Sequence, residues 1–268
     1  MNLSAARLQR ILAEAPIQFR TGDYISRGFQ FMNENLGLLV AFTLVSGVIS
    51  FFCQSLPFVG IFLSMAVSPV LNVGYAQFCY RVSRGHKADF GDFFKGFTKI
   101  GPLLLTYLLM SLIGLIALLP GLLVWYKAGM FEWALEMIGA YPLFLEIPEL
   151  GEMVDMSLFW IGLALIFISG LIVSLLFLWS LQIAWFFEVG PLEALAGSRK
   201  LIASNWSNVL GFLIISGLIA GSGVLLCGIG LLYTAPAMAC AQFFAFADAT
   251  QILGDEDNKT DLLDHFIA

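Results

Sequence analysis

The sequence predicts an all-α fold: a polytopic membrane helix bundle of about six spanning helices, arranged as three helical-hairpin pseudo-repeats, each preceded by a cytoplasmic interfacial amphipathic helix. Three observations predict it. The 268 residues are 59% hydrophobic and only 12% charged, with a mean hydropathy of +0.89, a balance that a water-facing surface does not tolerate. Uncharged apolar runs recur at lengths that suit a hydrocarbon core of about 30 Å. Basic residues gather on alternate connections, the pattern that fixes orientation in a membrane.

Residues 1–22 read as a cytoplasmic N-terminal segment. Met1 to Ala15 has an amphipathic pattern with Arg7 and Arg10 and lacks the apolar stretch and cleavage site of a signal peptide, so the first span is expected to act as the insertion signal. The membrane domain is expected over 23–250, with spans at about 36–56, 57–80, 101–126, 156–187, 207–226 and 228–247, an outer loop at 127–155 and a cytoplasmic tail at 251–268. Pro57 and Pro102 fall at helix starts, where a missing N–H costs nothing, whereas Pro69 and Pro236 fall inside runs and should kink them. The fourth run is longer than a bilayer requires and should tilt or project.

Of the 13 Lys and Arg residues, only Lys127 lies in the outer loop; the others precede span 1, join spans 2 and 3 or spans 4 and 5, or lie in the tail. Both termini are therefore expected in the cytoplasm, and a bacterial cytoplasmic (inner) membrane is the expected location. The outer loop holds Glu132, Glu136, Glu146, Glu149, Glu152 and Asp155 beside Phe131, Trp133, Leu135, Met137 and Ile138, which suggests a short helix on the outer leaflet. Its acids read first as a solvated face and second as a site for a divalent cation or basic partner. The tail opens on Asp255-Glu256-Asp257-Asn258 and carries Leu262, Leu263 and Phe266, a partner-docking helix or a frayed end.

An internal repeat underlies the three hairpins. A shift of 170 positions sets Asp23 on Glu193, Asn35 on Asn205 and Ser46-Gly47 on Ser216-Gly217; Ala76-Gln77-Phe78 is answered by Ala241-Gln242-Phe243. A looser middle copy carries Asp89 to Phe97, Ser169-Gly170 and Gln182. The repeats would be parallel rather than inverted.

None of the six runs holds Asp, Glu, Lys, Arg or His in its interior, which argues against ion pumping and intramembrane acid-base catalysis. His86 and His265 have no second ligand at helical spacing, and no phosphate loop, GxSxG or HExxH is present; no metal, cofactor or enzymatic activity is expected. No basic stripe points to nucleic acid. The four cysteines read as core residues, with a Cys53–Cys227 disulfide at the outer helix ends as the alternative. Ser-Gly pairs at 46, 169 and 216, and Gly217 with Gly221, suggest close helix packing.

Two residue sets remain as candidates. Gln77, Gln182 and Gln242 each lie in the second helix of a hairpin, near its cytoplasmic end, and would converge around a central axis; Asn72 would line the same polar cavity. Interhelical hydrogen bonding is the competing reading for these amides. The three amphipathic segments, Tyr24 to Asn33, Phe90 to Lys99 and Leu192 to Ile202, carry Arg27, Lys95, Lys99, Arg199 and Lys200, cations placed to meet anionic lipid.

The Arg27-Gly-Phe and Lys95-Gly-Phe steps, the Pro-containing second helix and the segment Pro191-Leu-Glu-Ala-Leu-Ala-Gly-Ser-Arg-Lys-Leu201 before a Gly-rich hairpin carry a resemblance. Over roughly residues 20–250 the chain resembles a poorly characterised bacterial family of six-helix integral membrane proteins related to the membrane domain of glycerophosphodiester phosphodiesterases. The resemblance brings no catalytic residues with it. The expected function is a non-enzymatic scaffold or accessory subunit that engages membrane lipids, a protein partner in a complex or further copies of itself. The alternative is a facilitator or exporter of a lipid or small apolar solute.

Overall fold

The computed structural model describes residues 8–9, 11–12, 19–56, 59–87, 89–140, 153–226 and 228–254. Among them the chain is all-helical, with no strand. Its elements are α1 (Thr21–Glu34), α2 (Leu36–Ser55), α3 (Val59–Ser83), a 3₁₀ run (Phe90–Lys99), α4 (Ile100–Lys127), α5 (Met130–Ala140), α6 (Met156–Leu176), α7 (Ser180–Phe187), α8 (Pro191–Ala203), α9 (Trp206–Ser222), a 3₁₀ turn (Gly223–Leu226) and α10 (Leu231–Thr250). Five helical stretches are long and apolar enough to cross a membrane: Leu36–Ser55, Val59–Ser83, Phe90–Lys127, Met156–Phe187 and Trp206–Leu225. This is a multi-pass membrane protein.

Two compact units make up the chain, one from Met1–Leu108 with Phe177–Ala268, the other from Leu109–Leu176. The first is organised around α10, which packs against α1, α2, α3 and α9. α10 fills the stretch expected as the sixth span but stands outside the five, because Thr234, Pro236, Gln242 and Asp248 dilute its apolarity. Its surroundings explain that composition. Ala237, Met238, Cys240, Ala241 and Phe243 through Ala247 are all buried, so this helix meets protein where the others meet lipid.

Lipid gives helices no hydrophobic reason to associate, so close approach and polar links hold them together. A Cβ on Gly28 of α1 would stand 2.6 Å from the Ala237 carbonyl oxygen and 2.8 Å from the Ala241 Cβ; only glycine admits this contact. The Tyr24 hydroxyl donates to the Asp248 carboxylate, the Tyr233 hydroxyl donates to Asn33 Oδ1 at 2.8 Å, and the Arg27 guanidinium lies 4.7 Å from the Phe244 ring centroid. Burial, and then the bond to Asp248, push the Tyr24 phenol well above its ordinary pKa, which keeps it a donor.

Close approaches occur at other glycines than the sequence suggests. A Cβ at Gly47, Gly170, Gly217 or Gly221 would meet nothing within 4 Å. Tight positions between packed elements include Gly28, Gly74 and Gly96 in the first unit and Gly121 and Gly162 in the second, and turns are tight at Gly60, Gly129, Gly223 and Gly230. A Ser-Gly pair marks a small surface, but whether a neighbour fills it depends on which face the helix turns inward.

The long fourth run is divided. α6 ends at Leu176, and a turn over Phe177–Trp179 leads into α7, so the excess length is absorbed by a break. The Trp179 N–H, freed from the α6 ladder, donates to Ser198 Oγ of α8 at 3.3 Å. A side-chain acceptor inserted at this point is an ordinary cause of a helix break.

Expected at 90–99 as an amphipathic helix on the membrane surface, the next segment is instead a 3₁₀ run bound to protein. Its start is capped by Asp89, which accepts from the Gly91 N–H at 3.0 Å. Phe93 lies fully buried between the rings of Phe42 and Phe78, stacked at 4.1 and 4.3 Å. Gly74 and Gly96 let the run approach α3 closely, a Cβ on Gly74 falling 2.5 Å from the Phe93 carbonyl oxygen.

In the second unit, the Trp125 indole stacks on Phe159 with a centroid separation of 5.8 Å and donates to the Phe159 carbonyl at 3.1 Å. The Asp155 N–H donates to the Ala128 carbonyl at 2.9 Å. Within 127–155, expected as the outer loop, α5 forms a helix, while Glu146, Glu149 and Glu152 lie outside the described residues. Cys227, and with it the Cys53–Cys227 pairing, the N-terminal helix beyond its few described positions, His265 and the docking segment of the tail also lie outside them.

Candidate functional site

Beyond Gln77, α3 ends on a basic turn. Tyr80, Arg81 and Arg84 follow one another at its last turns, and Gly85, with φ of +74°, reverses the chain toward His86. Docking of the 3₁₀ run by Phe93 brings Lys95 to the same place. Gln77, Tyr80, Arg81, Arg84, His86 and Lys95 line a recess of about 390 Å³.

Asp92 organises its cations. The carboxylate side chain is 2% exposed, and its Oδ1 accepts from both Arg81 Nη1 and Lys95 Nζ at 2.7 Å. A guanidinium and an ammonium at contact distance favour the ionised carboxylate. Asp92 Oδ2 and Arg81 Nε are buried without a hydrogen-bond partner. The Arg84 guanidinium donates to the Leu253 carbonyl at 3.0 Å, which fixes that side chain at the rim. One carboxylate thus holds two cations in place.

A second recess, of about 400 Å³, is in the same unit, lined by the start of α4 and by α7 with the turn that follows. Pro102, Leu103, Leu105, Ala184, Val189 and Pro191 make it apolar, with one face of Trp185. Its polar members close on each other: Lys99 pairs with Glu188 and stands 6.0 Å from the Trp185 ring centroid. Glu188, with φ of +53°, takes the left-handed conformation that ends α7, a position where glycine is the usual choice and a side chain is strained.

Of the four cavity residues named from sequence, Gln77 lines the basic recess and the other three line neither recess. Its Oε1 accepts from Trp185 Nε1 at 2.8 Å. Gln242 Nε2 donates to the Leu178 carbonyl at 3.1 Å. Gln182 is 4% exposed, and its Oε1 has no partner. All three amides border the stretch from Leu178 to Trp185, but the two bonded ones are spent on packing rather than on a shared opening. Asn72 is exposed on α3 and lines neither recess.

The five named cations separate in the same way. Lys95 belongs to the basic recess and Lys99 to the apolar one; Arg27 is turned onto Phe244, and Arg199 and Lys200 are exposed on α8. Arg81 and Arg84 enter the sequence reading only among the basic residues that mark topology, and His86 only as a histidine with no second ligand at helical spacing. The signal that selects them is the i, i+3 spacing of Arg81 and Arg84 at a helix end, which sets both on one face. Asp92 and Trp185 give no such signal, since their partners are distant in the chain. Cys79 and Cys240, both buried, bring their Sγ atoms to 3.2 Å. Among the described residues no group of three or more His, Cys, Asp or Glu side chains is placed to hold a metal ion.

No protein-family model, curated protein or solved structure matches the chain.

Proposed function

We propose that this chain is a non-enzymatic scaffold or accessory subunit of a bacterial cytoplasmic membrane that holds anionic lipid head groups at its cytoplasmic end. α10 counts as a sixth crossing in this reading, which returns both termini to the cytoplasm and matches the alternate placement of Lys and Arg. The three hairpins, introduced by α1, by the 3₁₀ run and by α8, are then parallel pseudo-repeats.

The observation that carries the proposal is the recess in which Arg81, Arg84 and Lys95 meet beside the Asp92 carboxylate. Guanidinium groups fixed at a membrane surface suit phosphate oxygens, and the anionic inner leaflet supplies them. Passage of a solute needs an open polar path; here Gln77 and Gln242 are bonded within the protein and Gln182 is buried, which favours holding over transport.

Gentle extraction followed by native mass spectrometry tests the reading. Wild-type protein should retain an anionic phospholipid, and the double variant Arg84→Gln/Lys95→Gln should lose it while keeping its fold. Equal retention by both, or none by the wild type, would remove the proposal. Labelling of Glu136→Cys from the outside of intact cells tests the orientation; labelling only after lysis would reverse it.

A further inference from the structure

We propose that the apolar recess between the start of α4 and α7 is a site for one zwitterionic phospholipid with a primary-amine head group. Its acyl chain lies along Trp185, Glu188 takes its ammonium and Lys99 its phosphate. The inference goes beyond the anionic-lipid reading and does not depend on the cations of the basic recess.

The chain order places the recess at the edge of the bilayer. Lys99 closes the 3₁₀ run, and α4 starts at the next residue within the membrane-crossing stretch Phe90–Lys127. The apolar lining, Pro102, Leu103 and Leu105 with Ala184, Trp185 and Val189, follows within two turns. Its volume of about 400 Å³ falls among those of small-ligand sites, about 300–1,000 Å³. Leu105, at 58% exposure, opens the recess to the surrounding lipid, and the Trp185 N–H, donated to Gln77 Oε1 at 2.8 Å, fixes the indole as one wall.

A chain that enters from the bilayer trades lipid contacts for protein contacts without leaving water, so selection falls to the head group. The polar edge of the recess offers one cation and one carboxylate, Lys99 and Glu188, paired with each other and with side chains 45% and 33% exposed. Ion pairs this open contribute little, so parting them costs little. A zwitterion then gives each group a partner of opposite sign: phosphate oxygens for the Lys99 ammonium, N–H donors for the Glu188 carboxylate. A choline head group lacks those donors, and an anionic one brings like charge to Glu188.

The backbone gives an independent reason to assign Glu188 a task. It holds φ of +53° at the end of α7, where a side chain is strained and glycine is the usual residue. Ending the helix does not call for a carboxylate; holding an ammonium does.

The test uses the full chain in nanodiscs of phosphatidylcholine doped with phosphatidylethanolamine, with one or the other lipid brominated near the head-group end of its acyl chains. Quenching of tryptophan fluorescence is read, and comparison with Trp185→Phe isolates the Trp185 component. At equal mole fraction phosphatidylethanolamine should occupy the recess about tenfold more than phosphatidylcholine, the difference expected of one charge-assisted hydrogen bond. Glu188→Gln should abolish that preference. Glu188→Gly should abolish it too without lowering the thermal midpoint, because glycine takes the left-handed conformation freely.

Equal occupancy by the two lipids, or a preference that survives both changes at Glu188, overturns the inference and leaves Glu188 as the end of a helix. Absence of a Trp185 component overturns the recess as a chain site. Retention of anionic lipid, which depends on Arg84 and Lys95, is read separately, so either reading can fail without the other.

Discussion

α10 and the helices of the second unit use a similar apolar alphabet in opposite surroundings. Over half of α10 is buried in protein. The most apolar stretches of Phe90–Lys127 and Met156–Phe187 have mean hydropathies of 2.4 and 2.8, yet only 6% and 11% of their residues are buried within the chain. High hydropathy therefore marks what faces lipid, and the helix that organises the first unit is the one that falls outside the apolar set. Small residues, aromatic rings and a few polar links do there what apolarity alone does not do in a bilayer.

The largest expected effect breaks this contrast at matched phenylalanines. Phe93, fully buried and stacked between Phe42 and Phe78, should cost about 3 kcal/mol when changed to Ala, a cavity that the two flanking rings cannot fill without losing other contacts. Phe167, 68% exposed in the second unit, should cost close to nothing as Phe167→Ala. Thermal unfolding of both variants in one detergent compares them; equal losses would show that the difference in burial has no energetic counterpart.

Glycines sharpen the comparison. At Gly28→Leu the new Cβ meets the Ala237 carbonyl and the Ala241 side chain inside 3 Å, and backbone cannot move aside as a side-chain tip can. A loss of about 2 kcal/mol is expected, with α1 loosened from α10. Gly170→Leu projects into open space and should be tolerated. If the two glycines exchange these outcomes in the same unfolding measurement, the packing of α10 is misassigned.

What was legible in the sequence follows the same division. The all-helical membrane class and the apolar stretches are set by local composition, and so are the bounds near 90–99 and 191–203, where charge and apolarity alternate. The break at Phe177–Trp179 was not legible, because its cause is Ser198, nineteen residues away. Nor was the docking of the 3₁₀ run: an amphipathic segment reads alike whether its apolar face meets lipid or meets Phe42 and Phe78. Two of the six residues that line the basic recess, Gln77 and Lys95, were visible as candidates. The rest depends on Asp92, which reads as one acid of an Asp-Phe-Gly-Asp segment until Arg81 and Lys95 are placed upon it, and on Trp185, whose partner lies 108 positions earlier.

Asp92→Asn tests the electrostatic part of that placement. The change keeps the shape and leaves Arg81 and Lys95 without their shared carboxylate. Both cations are partly exposed, with side chains 27% and 38% open, so water recovers part of the loss, and about 2 kcal/mol is expected rather than the larger cost of a fully buried pair. Raising salt should narrow the gap between wild type and variant. A variant as stable as the wild type would mean that Phe93 alone holds the run in place.

The smallest effect sets polar side chains of α10 and α6 against each other. Gln242 donates across helices to the Leu178 carbonyl, at the point where the chain between α6 and α7 leaves carbonyls free, whereas the Ser169 hydroxyl donates to Leu165 within its own helix. Gln242→Ala removes an interhelical link and should cost about 1 kcal/mol; Ser169→Ala leaves the helical ladder intact and should cost a few tenths at most. Hydrogen exchange at the amides of Ser180 to Ile183 reads the difference locally, because losing the Gln242 link frees the carbonyl that steadies this turn. Faster exchange there in Gln242→Ala and unchanged exchange in Ser169→Ala would place the amide among the residues that hold the first unit together, as its bond to α7's leading turn requires.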